Sequence, residues 1–557
     1  MICRSIGAGR AWRRPLGAAS GLCVVTAAVG LSQSASAQFV EAGPSTSLST
    51  VPSAPNNLNS NTLVTGMASG DPVYGAANVI LQSPTDPSAY WAATVSGGVW
   101  KTTNGGATWT PTTDSQPALE VGAIALDAAD PNGKTLYAGT GAYSAGGLFA
   151  AFSPQTTLLK STDGGVDWKS WTPTGIQNLY IGSDGLQYTD PSPASVKGLW
   201  VDGQTVLVGT GSSWGSASFF NAGGLYRSTD GGQTFSLVPG FNTEVSSLVA
   251  TSVSNQTVLF AARNGYAYHN AGGVLYSVDQ GASWQTVLDN TTPLIKAVNP
   301  TGLYPVSFAG KDDLNIKAAP GANGSLFVGV VAPSGGNEEI GVFYTPRFMP
   351  SSGAPTWYNL GEPLLISSGG DCVLPGCTLE GNPQGENHFA LIADPIHEGV
   401  AYIAGSGLFD ISLPDLAPDN EIATIVRINY DAASNSATFT QISFPGAGQS
   451  PHPDTRSLTF ASNGDLIAAD DGGLYAMTDP QGRGTWRPFG GSAADGSPIR
   501  AIETYSAVMD PNTGRLAFAA QDNGAGLSQS AKSPAVLRPE RRLGQRPRRR
   551  RVYSGRQ

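Results

Sequence analysis

Three short polar segments late in the chain carry the residue types that hold sugars or hard cations: Pro451-His452-Pro453-Asp454-Thr455-Arg456, Ala469-Asp470-Asp471-Gly472-Gly473 and Gln521-Asp522-Asn523-Gly524. Paired carboxylates suit sugar hydroxyls, and carboxylate oxygens are the ligands that Ca²⁺ prefers. A fourth segment, Gly385-Glu386-Asn387-His388-Phe389, sets another imidazole just ahead of an apolar run. The candidate ligand-binding residues are therefore His388, His452, Asp454, Arg456, Asp470, Asp471 and Asp522. A second reading stands beside this one. Asp-Gly and Asn-Gly close turns, and a histidine before a strand fixes a loop through a hydrogen bond. No metal is assigned to the set, with calcium the cation it would take. No nucleotide fingerprint, phosphate loop or nucleophile motif occurs, so no cofactor is expected.

Such segments act together only on a scaffold that brings them to one place, and a repeat supplies it. Thr102-Thr103-Asn104-Gly105-Gly106-Ala107-Thr108-Trp109 returns as Ser161 to Trp168, as Ser228 to Phe235 and as Ser277 to Trp284. Each copy follows an apolar run and ends in an aromatic that opens another. This predicts a hairpin turn in which Asn104, Asp163, Asp230 or Asp279 bonds the backbone ahead of it, glycines supply positive φ, and Trp109, Trp168, Phe235 or Trp284 packs beneath. A repeat of this period marks a solenoid or propeller.

Taking each terminal aromatic as the start of a last strand, the series continues through the degenerate Trp357, Phe439 and Trp486, which gives seven units between about residues 70 and 490. Asp-Pro pairs at 86–87, 130–131, 394–395 and 510–511 fall between expected first and second strands, where proline ends a strand. Abundant glycine, many short Val/Ile/Tyr/Trp runs and no long amphipathic helix complete an all-β expectation: a β-propeller of about seven four-stranded blades over residues 71–530, with the start of a further blade after residue 500. In that fold, second-to-third-strand loops and the lead-ins to first strands share a face, so the polar segments are expected to converge there.

The chain ends differ in style from this body. Residues 1–37 hold four arginines, no acid, an apolar stretch and Ala35-Ser36-Ala37, which is the pattern of a cleavable export signal cut near Ala37. Residues 38–70 read as a flexible linker. Of four cysteines, Cys372 and Cys377 lie outside the signal, and in an exported protein a pair this close is expected to form a disulfide. The net charge of −10 hides an asymmetry. The signal contributes +4 and residues 531–557, with nine Arg and one Lys against one Glu, contribute +9, leaving −23 on residues 38–530. The acidic body argues against nucleic acid and against anionic lipid as partners. The Arg-rich end is read as a disordered or frame-shifted tail and carries no function.

The octapeptide resembles the Asp-box, or BNR repeat, of sialidase-like and sortilin-like propellers. The strings SGGVWKTTNGGATW, GENHFALIADP, PHPDTRSLTF, ADDGGLY and AQDNG, in that order, resemble exported bacterial Asp-box propellers of unknown activity. The resemblance implies export and a propeller and carries no catalytic assignment; the chain is expected in the periplasm, at the cell surface or in the medium, with a glycan or protein ligand and, the apolar stretch of its signal being short and glycine-broken, without membrane insertion. Sialidases carry a Phe/Tyr-Arg-Ile-Pro motif that is missing here. Two-propeller xyloglucan hydrolases place a catalytic Asp in Thr-Asp-x-Gly-Gly of the first blade, where this chain has Thr94-Val95-Ser96-Gly97-Gly98. The reading favoured is a non-catalytic binding propeller, and the alternative is a polysaccharide-acting hydrolase of xyloglucanase or sialidase type.

Overall fold

The computed structural model describes residues 47–48, 72–141, 156–181, 186–190, 193–211, 223–264, 272–289, 315–332, 339–350, 355–363, 385, 387–409, 421–443, 451–482, 484–491, 497–509, 512, 516–520, 524–528 and 535–538. The export signal, nearly all of the 38–70 linker, Cys372, Cys377, Asp522 and most of the Arg-rich tail lie outside the described residues. Among the described residues no helix is long and apolar enough to cross a membrane.

Seven four-stranded antiparallel sheets form the body, each with its strands in chain order. Blade 1 comprises Ala77–Gln82, Tyr90–Thr94, Val99–Thr102 and Thr110–Pro111, and blade 2 comprises Val121–Leu126, Leu136–Thr140, Leu158–Ser161 and Lys169–Trp171. Blade 3 runs from Ser195–Asp202 to Ser236–Leu237, blade 4 from Val245–Val253 to Gln285–Asp289, and blade 5 from Asn315–Pro320 to Tyr358–Gly361. Blade 6 is built of Ala390–Ala393, Val400–Ala404, Ile425–Asp431 and Ser436–Gln441, and blade 7 of Ser457–Phe460, Leu466–Asp470, Gly473–Met477 and Trp486–Pro488. First strands neighbour one another all the way round, including that of blade 7 with that of blade 1, so they line the axis of a closed seven-blade propeller.

Burial explains the composition of the strands. A sheet sandwiched between two others has no solvent face, and its middle strands read as continuous apolar runs. Tyr90–Thr94, Leu136–Thr140, Val400–Ala404 and Leu466–Asp470 are buried at every position. The core is correspondingly divided into seven clusters, each shared by two adjacent blades. Gly139 shows how close the sheets come, since a Cβ there would lie 2.4 Å from Cγ1 of Val196 in the next blade.

The octapeptides form the turns between third and fourth strands. In each, the leading hydroxyl bonds the Asn or Asp two residues on, as Ser228 Oγ to Asp230 Oδ1 at 2.7 Å, and accepts the fifth-position amide, as from Gly232 N at 3.0 Å. The Asp or Asn then accepts the seventh-position amide, as Asn104 does from Thr108 N at 2.9 Å and Asp279 from Ser283 N at 2.9 Å. Burial pulls the Asp279 carboxyl upward, but donors from Ser283, Ser277 and Ala282 outweigh it and hold the group down to about 2. Trp109, Trp168, Phe235 and Trp486 are buried as expected, and Trp284 packs partly buried against the blade 3–4 core. The Asp-Pro pairs at 86–87, 130–131 and 394–395 occupy first-to-second-strand turns, where Asp394 Oδ1 accepts two backbone amides at 2.8 Å.

An eighth four-stranded sheet follows the ring: Thr504–Met509, Leu516–Ala520, Gly524–Ser528 and Ala535–Arg538. Its fourth strand draws on residues that the sequence analysis grouped with the Arg-rich tail. Its first strand bulges between Thr504 and Ser506, as those of blades 1 to 4 bulge at Asn78, Gly122, Lys197 and Ser246.

Blades 7 and 1 exchange no strand among the described residues; packing, side-chain bonds such as Ser462 N to Gln82 Oε1 at 2.7 Å, and two extended segments, one holding Tyr74 and one ending at Ala501, join the ring. Tyr74 N donates to Gly472 O at 2.6 Å, Ala501 N donates to Tyr74 O at 2.8 Å, and Tyr74 Oη donates to Gly491 O at 2.7 Å. The ring lies flat against Gly473 and Gly490, where a Cβ would fall 2.8 Å and 2.4 Å from its carbons. Trp109 adds bonds to Ser497 O at 2.7 Å and Phe489 O at 3.1 Å. Removing the fully buried Tyr74 ring as Tyr74→Ala should cost about 4 kcal/mol, whereas Tyr74→Phe, which loses only the hydroxyl bond, should cost about 1 kcal/mol. Equilibrium denaturation of both variants checks the ratio, and equal losses would mean that Tyr74 does not close the ring through packing.

Candidate functional site

Strand direction decides which loops share a face. First strands begin, second strands end and third strands begin on one side, and the octapeptide turns lie on the other. His388 immediately precedes the first strand of blade 6, and Asp454 and Arg456 precede that of blade 7. Asp470 ends the second strand of blade 7 and Asp471 follows it. The loop face therefore gathers them, and backbone bonds fix the gathering. Asp454 N donates to Ser406 O at 2.6 Å and Thr455 N to Gly405 O at 3.2 Å, which ties the blade 7 lead-in to the second-to-third loop of blade 6, while Arg456 N donates to Ala469 O at 2.9 Å. Asp454 takes up a left-handed conformation, φ +66°, which aspartate tolerates better than a bulky or branched residue does.

Side chains then pair, one couple across the joint and one within blade 7. His388 Nδ1 lies 2.9 Å from Asp454 Oδ1. Arg456 Nε donates to Asp471 Oδ1 at 2.6 Å, and its Nη2 forms a second, very close contact with the same oxygen. His388, Asp454 and Asp471 each place one donor atom within 4.8 Å of the other two, a set that could ligate a cation. Arg456 already supplies positive charge at Asp471. Burial pulls the guanidinium down, but Asp471, Glu503 and Asp454 outweigh it and raise it above its ordinary value, so its charge is retained. All six described candidates, His388, His452, Asp454, Arg456, Asp470 and Asp471, are buried.

Asp470 and Asp471, adjacent in sequence, do different things. Asp470 Oδ1 accepts the amides of Gly472 at 3.0 Å and Gly473 at 2.9 Å and so closes the neck of its loop. Threonines do the same in other blades: Thr94 Oγ1 accepts Gly97 N at 3.0 Å and donates to Gly98 O at 2.9 Å, and Thr210 Oγ1 accepts Gly224 N at 3.0 Å. Asp470 thus follows the turn reading, whereas Asp471 enters the ionic cluster. Burial, then the neighbouring Asp471 charge, pushes Asp470 well above the ordinary carboxylate range, which favours the neutral acid. His452 is packed against Gly472 and its Nδ1 lies 3.1 Å from Pro453 O, a loop-fixing geometry.

A second polar cluster on this face escaped the sequence analysis. Lys197 Nζ lies 2.6 Å from Glu244 Oε1, both buried, and Asn264 Nδ2 donates to the same oxygen at 3.2 Å. Ser246 Oγ donates to Ile316 O at 2.7 Å, and Asn78 Nδ2 to Val121 O at 2.8 Å. Lys197, Ser246 and Asn78 are the bulged residues of their first strands. A bulge re-aims one side chain, here toward the next blade. The signal was present as a polar residue in the second or third position of an otherwise apolar first strand.

No family model matches the chain and no curated protein matches it. Among solved structures it is similar to a GH74 enzyme of Niastella koreensis, 15% identical with a TM-score of 0.49, covering 86% of this chain and 61% of that one. It is also similar to YCF48 from Cyanidioschyzon merolae, 13% identical with a TM-score of 0.39, covering 72% and 95%, and to Sqt1 of Saccharomyces cerevisiae, 12% identical with a TM-score of 0.39, covering 86% and 99%. The chain thus spans less than two thirds of the length of the GH74 enzyme, and no residue role is carried across from any of the three.

The division of labour has measurable consequences. Asp471→Ala removes the hydrogen-bonded counter-charge of the buried Arg456 and should destabilise the protein by about 3–5 kcal/mol. Asp470→Asn keeps an acceptor for Gly472 and Gly473 and should do the opposite. An acid raised in the folded state supplies stability that is present below its unfolded value near 4 and is lost as pH rises toward the folded value. Asp470→Asn should therefore raise the melting temperature at pH 7 and leave it nearly unchanged at pH 3. Equal shifts at both pH values would contradict a buried neutral acid.

Proposed function

We propose that this chain is an exported, non-catalytic β-propeller that holds a glycan or protein partner on the face formed by its second-to-third-strand loops and first-strand lead-ins. The observation that carries the reading is the state of the two nearest carboxylates. Asp454 faces His388 and Asp471 is clamped by Arg456, and all four groups are buried. Glycoside hydrolysis needs two carboxyls open to the sugar, one to exchange a proton and the other to act as base or nucleophile. Asp454 is engaged in joining blades 6 and 7 and Asp471 in holding the lead-in of blade 7 to its own loop, and buried in these pairs they offer a sugar no approach.

The polysaccharide-hydrolase alternative draws on one observation. Asp454 and Asp471 are separated by less than 4.8 Å at their nearest donor atoms, close to the roughly 5 Å used by retaining glycosidases. Against it stand their burial and the blade 1 loop, Thr94-Val95-Ser96-Gly97-Gly98, which has no carboxylate and is closed by Thr94. Export rests on the leader-like residues 1–37. The charge of −23 on residues 38–530 supports a partner that is neither nucleic acid nor an anionic membrane.

The test is reducing-end release from a panel of plant and bacterial polysaccharides by the purified full chain, with retention on the same insoluble polymers and on candidate proteins scored in parallel. Retention without release is expected. Release that vanishes in Asp471→Asn would overturn the proposal and name the site.

A further inference from the structure

A hairpin between blades 2 and 3 belongs to no blade. After the fourth strand of blade 2 the chain passes Thr174, which bonds Gln233 and Phe235 beside the octapeptide turn of blade 3, and then climbs to the opposite face. There it forms an antiparallel hairpin, Asn178–Ile181 with Gln187–Asp190, before the first strand of blade 3. The hairpin is rooted rather than loosely attached. Leu179 is buried in the core between blades 2 and 3, Gly223 N donates to Leu179 O at 2.6 Å, and Tyr226 Oη donates to Gln177 O. Because Gly223 leads into a third strand, the hairpin stands on the same face as the loops proposed to hold the partner.

Tyr180 and Tyr188 are directly paired across this hairpin, with ring centroids 5.4 Å apart and planes inclined by 22°, an offset stack. Tyr188 is 40% exposed and Leu186 is 60% exposed, and both are among the few large apolar side chains that face solvent. Several buried aromatics elsewhere pack edge-on between blades, as Tyr90 does on Phe489 and Phe260 on Phe348, while Phe327 and Tyr344 in blade 5 are tilted by 36°. A stacked, solvent-facing pair on a rooted hairpin has different uses. The electron-rich face of an aromatic ring attracts the axial C–H groups of a sugar, and a pre-stacked ring loses little rotamer freedom on binding. The charges nearby select the kind of sugar. Residues 172–194 contain two aspartates and no basic residue, and the body is strongly acidic, so a polyanion would be repelled.

We propose that Tyr188, backed by Tyr180, is a sugar-stacking platform for a neutral glycan. The proposal rests on the binding reading above and gives that face its ligand class.

Affinity electrophoresis of the full chain through gels containing hydroxyethylcellulose or glucomannan, with polygalacturonate as the anionic control, tests it. Retardation by a neutral polymer is expected, with Tyr188→Ala raising Kd about tenfold, Tyr188→Phe restoring most of the affinity, and the melting temperature of Tyr188→Ala falling by no more than a few degrees, the loss of one cross-strand pair. Three outcomes would overturn the platform: no retardation by either neutral polymer, retardation by polygalacturonate alone, or equal retardation of Tyr188→Ala and the unsubstituted protein. The last leaves the binding reading standing, whereas release of reducing sugar from the gel polymer removes that reading itself.

Discussion

A propeller is stable only if its last sheet packs against its first, because an open ring would leave two apolar blade faces in water. Here that constraint is met without exchanging a strand. Tyr74 and the segment ending at Ala501 are laid across the seam, and the rings of Tyr74, Trp109 and Phe489 fill it. Every other blade interface is joined by consecutive chain. The seam therefore brings together parts of the sequence that are farthest apart, and its entropy cost must be offset by burial and by correctly placed hydrogen bonds.

The polar residues of blades 6 and 7 follow from the same requirement. The neck of a second-to-third loop needs its amides satisfied, and Thr94, Thr210 and Asp470 do this in three different blades. Lead-ins to first strands must be held in place, which the His388–Asp454 and Arg456–Asp471 pairs accomplish. Charges buried in this way contribute little net stability as a set, yet removing one partner leaves the other uncompensated. The cluster looks like a reaction centre by residue type. Its geometry is that of buried pairs that hold the lead-ins of blades 6 and 7 in place.

The strand order was legible because its signals are local. Ser228, Asp230 and Gly232 bond one another within five residues, so the octapeptide marks its turn wherever it occurs, and Trp357, Phe439 and Trp486 continued the series without the full motif. The convergence of His388, Asp454, Arg456, Asp470 and Asp471 on one face followed from topology alone. Their burial and pairing did not, because adjacent aspartates look alike in sequence while one caps a loop and the other neutralises an arginine. Tyr74 was not legible as the closing residue, since its partners at Gly472, Gly491 and Ala501 share no spacing with it. The Tyr180–Tyr188 hairpin was hidden by its polar, glycine-rich composition, which reads as a linker, and Ala535–Arg538 was hidden by the arginines that follow it.

Native-state hydrogen exchange tests most directly whether the seam and the blade 6–7 joint are one cooperative core rather than the walls of an opening cleft. The amides of Tyr74, Ala501, Asp454 and Thr455 are predicted to exchange only with global unfolding, as slowly as the buried middle strands Leu466–Asp470 and Val400–Ala404. Exchange of Asp454 and Thr455 through low-energy local opening, with the middle strands still protected, would contradict the account and return the carboxylates to the surface as reactive groups.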